Sequence, residues 1–174
     1  MCIEMIKSKI RVVPDFPQKG ILFRDLTTAF KDPACLKALS TSLVEKYQGM
    51  GITKVVGIES RGFIMGPIMA LDLDAGFVTL RKPGKLPAET FKASYEKEYG
   101  LDTIEIHKDA LTEEDVVLIH DDLLATGGTM LAAVELVKRF NVKKIYVNFI
   151  VELDDLKGRN LFPEDIEVES LIHY

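Results

Sequence analysis

The segment Val116-Val-Leu-Ile-His-Asp-Asp-Leu-Leu-Ala-Thr-Gly-Gly-Thr129 narrows the possible folds of this chain more than any other stretch. Val116 to Ile119 are apolar and read as a short buried strand. Two adjacent carboxylates, Asp121 and Asp122, stand where that strand is expected to end. Ala125, Thr126, Gly127, Gly128 and Thr129 form a small-residue turn, and an amphipathic helix is predicted over 130–140. Strand, glycine turn and helix together make the unit of a parallel sheet. The turn also carries chemistry. Its glycines let backbone N–H groups approach an anion, and the unpaired amides of a first helical turn point at it. The helix dipole adds about half a positive charge at that end. With two acids beside it, the segment points to a phosphorylated, hydroxyl-rich ligand.

The rest of the chain extends the same pattern. Ile3, Ile6, Ile10 and Val13 recur at helical spacing, so the N-terminus is predicted to be an amphipathic helix ended by Pro14. A loop over 14–20 leads to a short apolar step at 21–23. Asp32-Pro33 is a capped helix start, and Leu36, Leu39, Leu43, Val44 and Tyr47 give that helix its buried face. Strands are expected over 54–58, 76–80, 144–151 and 168–172, with a helix over 62–73. The fold class is therefore α/β, a parallel-sheet core with flanking helices. Between 86 and 109 the rhythm changes to two antiparallel strands, 90–95 and 102–107, read as an inserted flexible lid hairpin. Residues 1–174 are expected to form one domain, of which 1–30 are the N-terminal helix and a hood.

A chain of 174 residues, 47% of them hydrophobic, supplies one packed core but not two independent ones. A net charge of −5 argues against a nucleic-acid partner. Cys2 and Cys35 occur without a CxxC pair or metal-ligand spacing, as expected of reduced cytosolic thiols. The start of the chain is too charged for a signal peptide, and no apolar run is long enough to span a bilayer. No membrane association is expected, and the location is expected to be cytoplasmic.

Ligands of open parallel sheets bind outside the carboxyl ends of the strands, so three further segments should meet beside Asp121. Gly57-Ile-Glu-Ser-Arg-Gly-Phe63 offers Arg61, which alone is either an anion ligand or half of a surface ion pair. Leu80-Arg-Lys-Pro-Gly-Lys-Leu-Pro87 crowds Arg81, Lys82 and Lys85, cations that repel one another unless they share an anion. Ser94 to Gly100 is by composition a charged hairpin tip. In the stretch from Val13 to Asp25, Phe23 is either a stacking surface for a flat heterocycle or an ordinary core aromatic.

Taken in order, these segments resemble the purine phosphoribosyltransferases, and in their details the adenine-specific members, over roughly residues 10–174. The resemblance implies transfer of a 5-phosphoribosyl group from phosphoribosyl pyrophosphate to adenine, giving AMP and pyrophosphate in purine salvage. It assigns Asp121 and Asp122 to the ribose and the cation-like transition state. It assigns Ala125, Thr126, Gly127, Gly128 and Thr129 to the 5′-phosphate. Ser60, Arg61, Arg81, Lys82, Lys85 and Tyr99 fall to the pyrophosphate, with a cis peptide at Glu59–Ser60. Leu22, Phe23 and Arg24 fall to adenine, and Glu98, on the lid, to the proton of the purine. Mg²⁺ is the implied cofactor, held by ligand oxygens and water with few or no direct protein ligands, and the implied assembly is a homodimer. Glu152 to Arg159 matches a further motif of the family and reads as structural support. His120 departs from the pattern, standing where a β-branched apolar residue is expected. It either bonds local backbone at a strand end or tunes the charge on Asp121. Two rival functions are a 6-oxopurine phosphoribosyltransferase, which would lack this hood, and a regulatory module that senses phosphoribosyl pyrophosphate without turnover.

Overall fold

The computed structural model describes residues 2–97 and 100–174. Glu98 and Tyr99 therefore lie outside the described residues. Five parallel strands form the central sheet in the order β4-β3-β7-β8-β9: β3 (Lys54–Ile58), β4 (Gly76–Leu80), β7 (Val116–Leu124), β8 (Lys144–Glu152) and β9 (Glu167–His173). β3 is buried over Val55 to Ile58, as expected of a strand covered on both faces. Successive side chains alternate between two cores. Val56, Val117 and Ile119 face one of them, with α5 (Gly128–Lys138). Val55 and Leu118 face the other, with α1 (Cys2–Lys9), α3 (Pro33–Val44) and α4 (Gly62–Asp72).

Local chemistry explains several boundaries. Asp32 Oδ1 accepts the Ala34 and Cys35 amides at 3.0 and 3.1 Å, with Pro33 in the first turn, so α3 starts where its sequence signals. The N-terminal helix is shorter than expected. It ends at Lys9, and Val13 instead joins β1 (Arg11–Pro14), paired antiparallel with β2 (Leu22–Asp25) through Val13↔Phe23. Spacings of three and four residues cannot separate a helix end from a β-branched pair that finds a strand partner. A short α2 (Thr27–Phe30) was not foreseen.

The hairpin is β5 (Thr90–Lys97) with β6 (Gly100–His107). Its base is part of the core rather than an appendage: Ala93, Ile104 and Ile106 are buried, and the Phe91 and Phe140 rings meet edge to face. Among the described residues no helix is long and apolar enough to cross a membrane.

Candidate active site

The strand order reverses at β3. The chain runs outward from β3 to β4, then returns to lay β7 on the other side of β3. The crevice at such a reversal, beyond the carboxyl ends of β3 and β7, is where a parallel sheet offers room for a ligand. Four residues flanking that crevice, Glu59, Ser60, Arg61 and Asp122, line one open cavity together with Asp121. Asp121 also lines the adjoining cavity, which is walled by Ala125, Thr126, Gly127, Gly128 and Thr129.

The acids do not follow the strand, as was expected, but belong to it. β7 runs on to Leu124, because β8 still pairs with it at Asp121↔Phe149 and Leu123↔Val151 after β3 has stopped. Asp122 is only 2% exposed. Arg61 Nε stands 2.7 Å from Asp122 Oδ2, an ion pair without hydrogen-bond geometry, so Oδ2 accepts no hydrogen bond among the described residues. Asp121 Oδ1 accepts the Asp122 amide at 2.9 Å. Burial and the neighbouring Asp122 charge push Asp121 well above the usual carboxylate range. Burial raises Asp122 too, with the Arg61 charge opposing it. Two acids held this way gain most from a positive charge placed beside them.

Two helix N-termini flank the acids. Gly127, whose φ of +86° suits glycine, stands at the N-cap of α5, and the first turn has no side-chain cap. α4 begins after Arg61, also without a side-chain cap. It comes so close to β7 that a Cβ on Gly62 would lie 2.7 Å from the His120 carbonyl oxygen and 3.3 Å from Asp121 Oδ1. The Glu59–Ser60 peptide is cis, at the position the resemblance implies.

The cations of the β4 end are not left to repel one another. Arg81 donates to both oxygens of Glu59, and the Lys82 ammonium bonds Asp102 and the Tyr95 hydroxyl. Lys85 is exposed. Glu59 had no assigned part in the sequence. The signal available was a single carboxylate at a strand end facing a cation cluster on the next strand.

The hood approaches the same loop. The Arg61 guanidinium lies 5.6 Å from the centre of the Phe23 ring, and Phe16 packs edge to face on that ring at 5.1 Å. Phe23 is half-buried and Leu22 is exposed. Arg24 stacks on Tyr174 at 3.9 Å, which ties the hood to the last strand. His120 is fully buried and bonds the side chain of Asn148 at 2.9 Å. Burial drives its pKa down to about 4, so it is neutral at physiological pH.

Comparison with known proteins agrees with this geometry. Residues 27–165 match the model of the phosphoribosyl transferase domain. The adenine phosphoribosyltransferase of Bacteroides thetaiotaomicron is 64% identical, over 99% of this chain and 98% of its own length. The crystal structure of adenine phosphoribosyltransferase from Rhodothermus marinus superposes with a TM-score of 0.93 at 48% identity, covering 99% of this chain and 98% of that one. The Saccharomyces cerevisiae enzyme, solved with adenine and an imino-altritol bisphosphate, gives 0.92 at 43% identity, with 98% of each chain covered. The chain belongs to the phosphoribosyl transferase domain family and, within it, to the adenine phosphoribosyltransferases.

Proposed function

We propose that the chain transfers the 5-phosphoribosyl group of phosphoribosyl pyrophosphate to adenine, releasing AMP and pyrophosphate, with the crevice between β3 and β7 as its catalytic centre. The observation that carries this reading is half-buried Asp121, next in sequence to buried Asp122, lining one cavity with the uncapped N-terminus of α5. In this reading Ala125 to Thr129 wrap the 5′-phosphate with backbone amides, and the acids face the ribose. As pyrophosphate leaves, positive charge grows at the anomeric carbon. That positive charge favours the ionised form of both acids, and carboxylates already fixed in a low-dielectric crevice stabilise it without reorganising.

Ser60 and Arg61, with Lys82 and Lys85, receive the leaving pyrophosphate. Arg81 braces that segment through Glu59 as well as adding positive potential. Phe23 stacks on adenine, while backbone at Leu22 and Arg24 reads its edge. A site that accepts an exocyclic amine leaves buried groups mismatched against a 6-oxo purine. This sets the adenine reading apart from the 6-oxopurine alternative. Glu98 is assigned to the proton of the incoming base and Tyr99 to the pyrophosphate side by resemblance.

Mg²⁺ suits the donor set. Asp121 and Asp122 offer hard oxygens, although Arg61 already pairs with Asp122 Oδ2 at 2.7 Å. The only three-ligand cluster among those residues, Glu152, Asp154 and His173, does not line the crevice. The ion would therefore rest largely on substrate oxygens and water, facing the two acids. When bound, it supplies neutralising charge to the pyrophosphate. The family resemblance further supports a cytoplasmic homodimer.

Steady-state formation of nucleotide from adenine, hypoxanthine and guanine tests the reading. Adenine should be preferred by orders of magnitude in kcat/KM. Comparable use of hypoxanthine would overturn the assignment of the hood.

A further inference from the structure

Behind the phosphate loop two backbones touch at two glycines. A Cβ on Gly127 would lie 2.7 Å from the Gly158 carbonyl oxygen. A Cβ on Gly158 would lie 2.2 Å from the Ala125 carbonyl oxygen and 3.0 Å from the Thr126 carbonyl carbon. Neither obstacle is the tip of a flexible side chain, so neither can swing aside. Gly158 is buried and does not line the cavity in front of the loop.

The segment that presents Gly158 is itself held firmly. Arg159 forks onto Glu152, with Nε to Oε1 at 3.0 Å, and a second arm reaches the Val168 carbonyl. Ser170 adds a bond to Glu152 Oε2 at 2.7 Å. Glu152 is 4% exposed and ends β8, the strand paired with β7. Arg159 and Ser170 hold its carboxyl below the usual range even though burial opposes this. A short turn with Lys157 at φ +52° then delivers Gly158 against the loop.

We infer that Gly158 is a positioning residue of the reaction: it is the rear wall that sets where the Ala125–Thr129 amides stand. The inference rests on reading that loop as the phosphate site. A methyl group at 158 must move the Ala125 carbonyl by roughly 1 Å, and misplacement on that scale can cost on the order of a hundredfold.

Calorimetric titration with ribose 5-phosphate, and separately with adenine, tests it on the full chain. Gly158→Ala should remain folded by circular dichroism, bind ribose 5-phosphate about a hundredfold more weakly and bind adenine within about twofold of the parent. A folded Gly158→Ala whose ribose 5-phosphate affinity stays within about threefold of the parent overturns the inference. Should Gly158→Ala not fold, Arg159→Lys decides. It keeps a charge beside Glu152 but loses the fork that holds the segment, and it should weaken ribose 5-phosphate binding at least about fivefold. An unchanged affinity would equally overturn the proposal. The backbone amide resonances of residues 126–129 in the parent, followed by NMR as ribose 5-phosphate is added, separate the two ideas. If they do not move, the phosphate-loop reading itself falls. If they move and Gly158→Ala binds as the parent does, only the role of Gly158 falls.

Discussion

Arg81 grips Glu59 with both arms, Nη2 to Oε1 at 2.9 Å and Nε to Oε2 at 3.2 Å, while Glu59 Oε2 also accepts the Lys82 amide at 3.0 Å. This one carboxylate ties the loop leaving β3 to the segment leaving β4. It fixes the Arg81 side chain and the Lys82 backbone to a residue that lines the crevice. The hydrogen bond from Arg81 holds the Glu59 carboxyl below its ordinary range.

Glu59→Gln should therefore lower kcat/KM for phosphoribosyl pyrophosphate by about tenfold, the value of one charge-assisted contact. The urea midpoint should move little, because the pair is partly exposed and such pairs add little to stability. Parallel kinetics and urea titration would show this; an equal fall in stability would make Glu59 a structural brace alone.

Asp121→Asn and Asp122→Asn should each fold and lose about 10² to 10³ in kcat, the scale of a fixed electrostatic contact at a developing charge. Stability should hold or rise near neutral pH for Asp121→Asn, because it replaces an acid whose ionised form burial and the Asp122 charge disfavour. Native Asp121 keeps a proton that the unfolded chain releases, so its contribution falls as pH rises past the ordinary carboxylate range. Urea midpoints from pH 4 to 8 should thus fall more steeply for the parent than for Asp121→Asn.

His120 gives the opposite slope. Its folded pKa of about 4 lies below the ordinary histidine value of 6.5, so between those values the unfolded chain binds a proton that the native chain does not. Its contribution is complete above pH 6.5 and is lost as pH falls towards 4. His120→Val should flatten that acid limb of a melting-temperature profile. It should also cost about 1–3 kcal/mol at neutral pH by stranding Asn148 Oδ1. An unchanged acid limb would mean that another group drives it.

Glu98→Gln should slow the chemical step about 10² to 10⁴-fold, the range for a positioned proton transfer, while phosphoribosyl pyrophosphate binding is kept. Glu96→Gln is the control and should do little. Single-turnover rates on the two variants are the measurement, and a Glu98→Gln rate equal to the parent's assigns the proton another route.

Light scattering at working concentration should return the mass of two chains. A fully active monomer would remove the dimer from the proposal.

Much of this molecule was legible locally. The strands 54–58 and 76–80 end where their flanking turns say, and the α3 start follows from Asp32-Pro33, because runs of β-branched residues and side-chain caps act within a few residues. The glycine turn before α5 was legible for the same reason. Three things depended on neighbours remote in sequence. β7 carries its acids inside the strand because β8 keeps pairing after β3 ends. Arg81 meets Glu59 because β3 and β4 lie side by side in register at Ile58↔Leu80. Gly158 must be glycine because the end of β8 returns a backbone to within touching distance of Ala125. Composition and periodicity determined which elements form and what chemistry their ends carry. Pairing register and backbone-to-backbone packing, which no local signal encodes, decided which of those ends face one another and how closely.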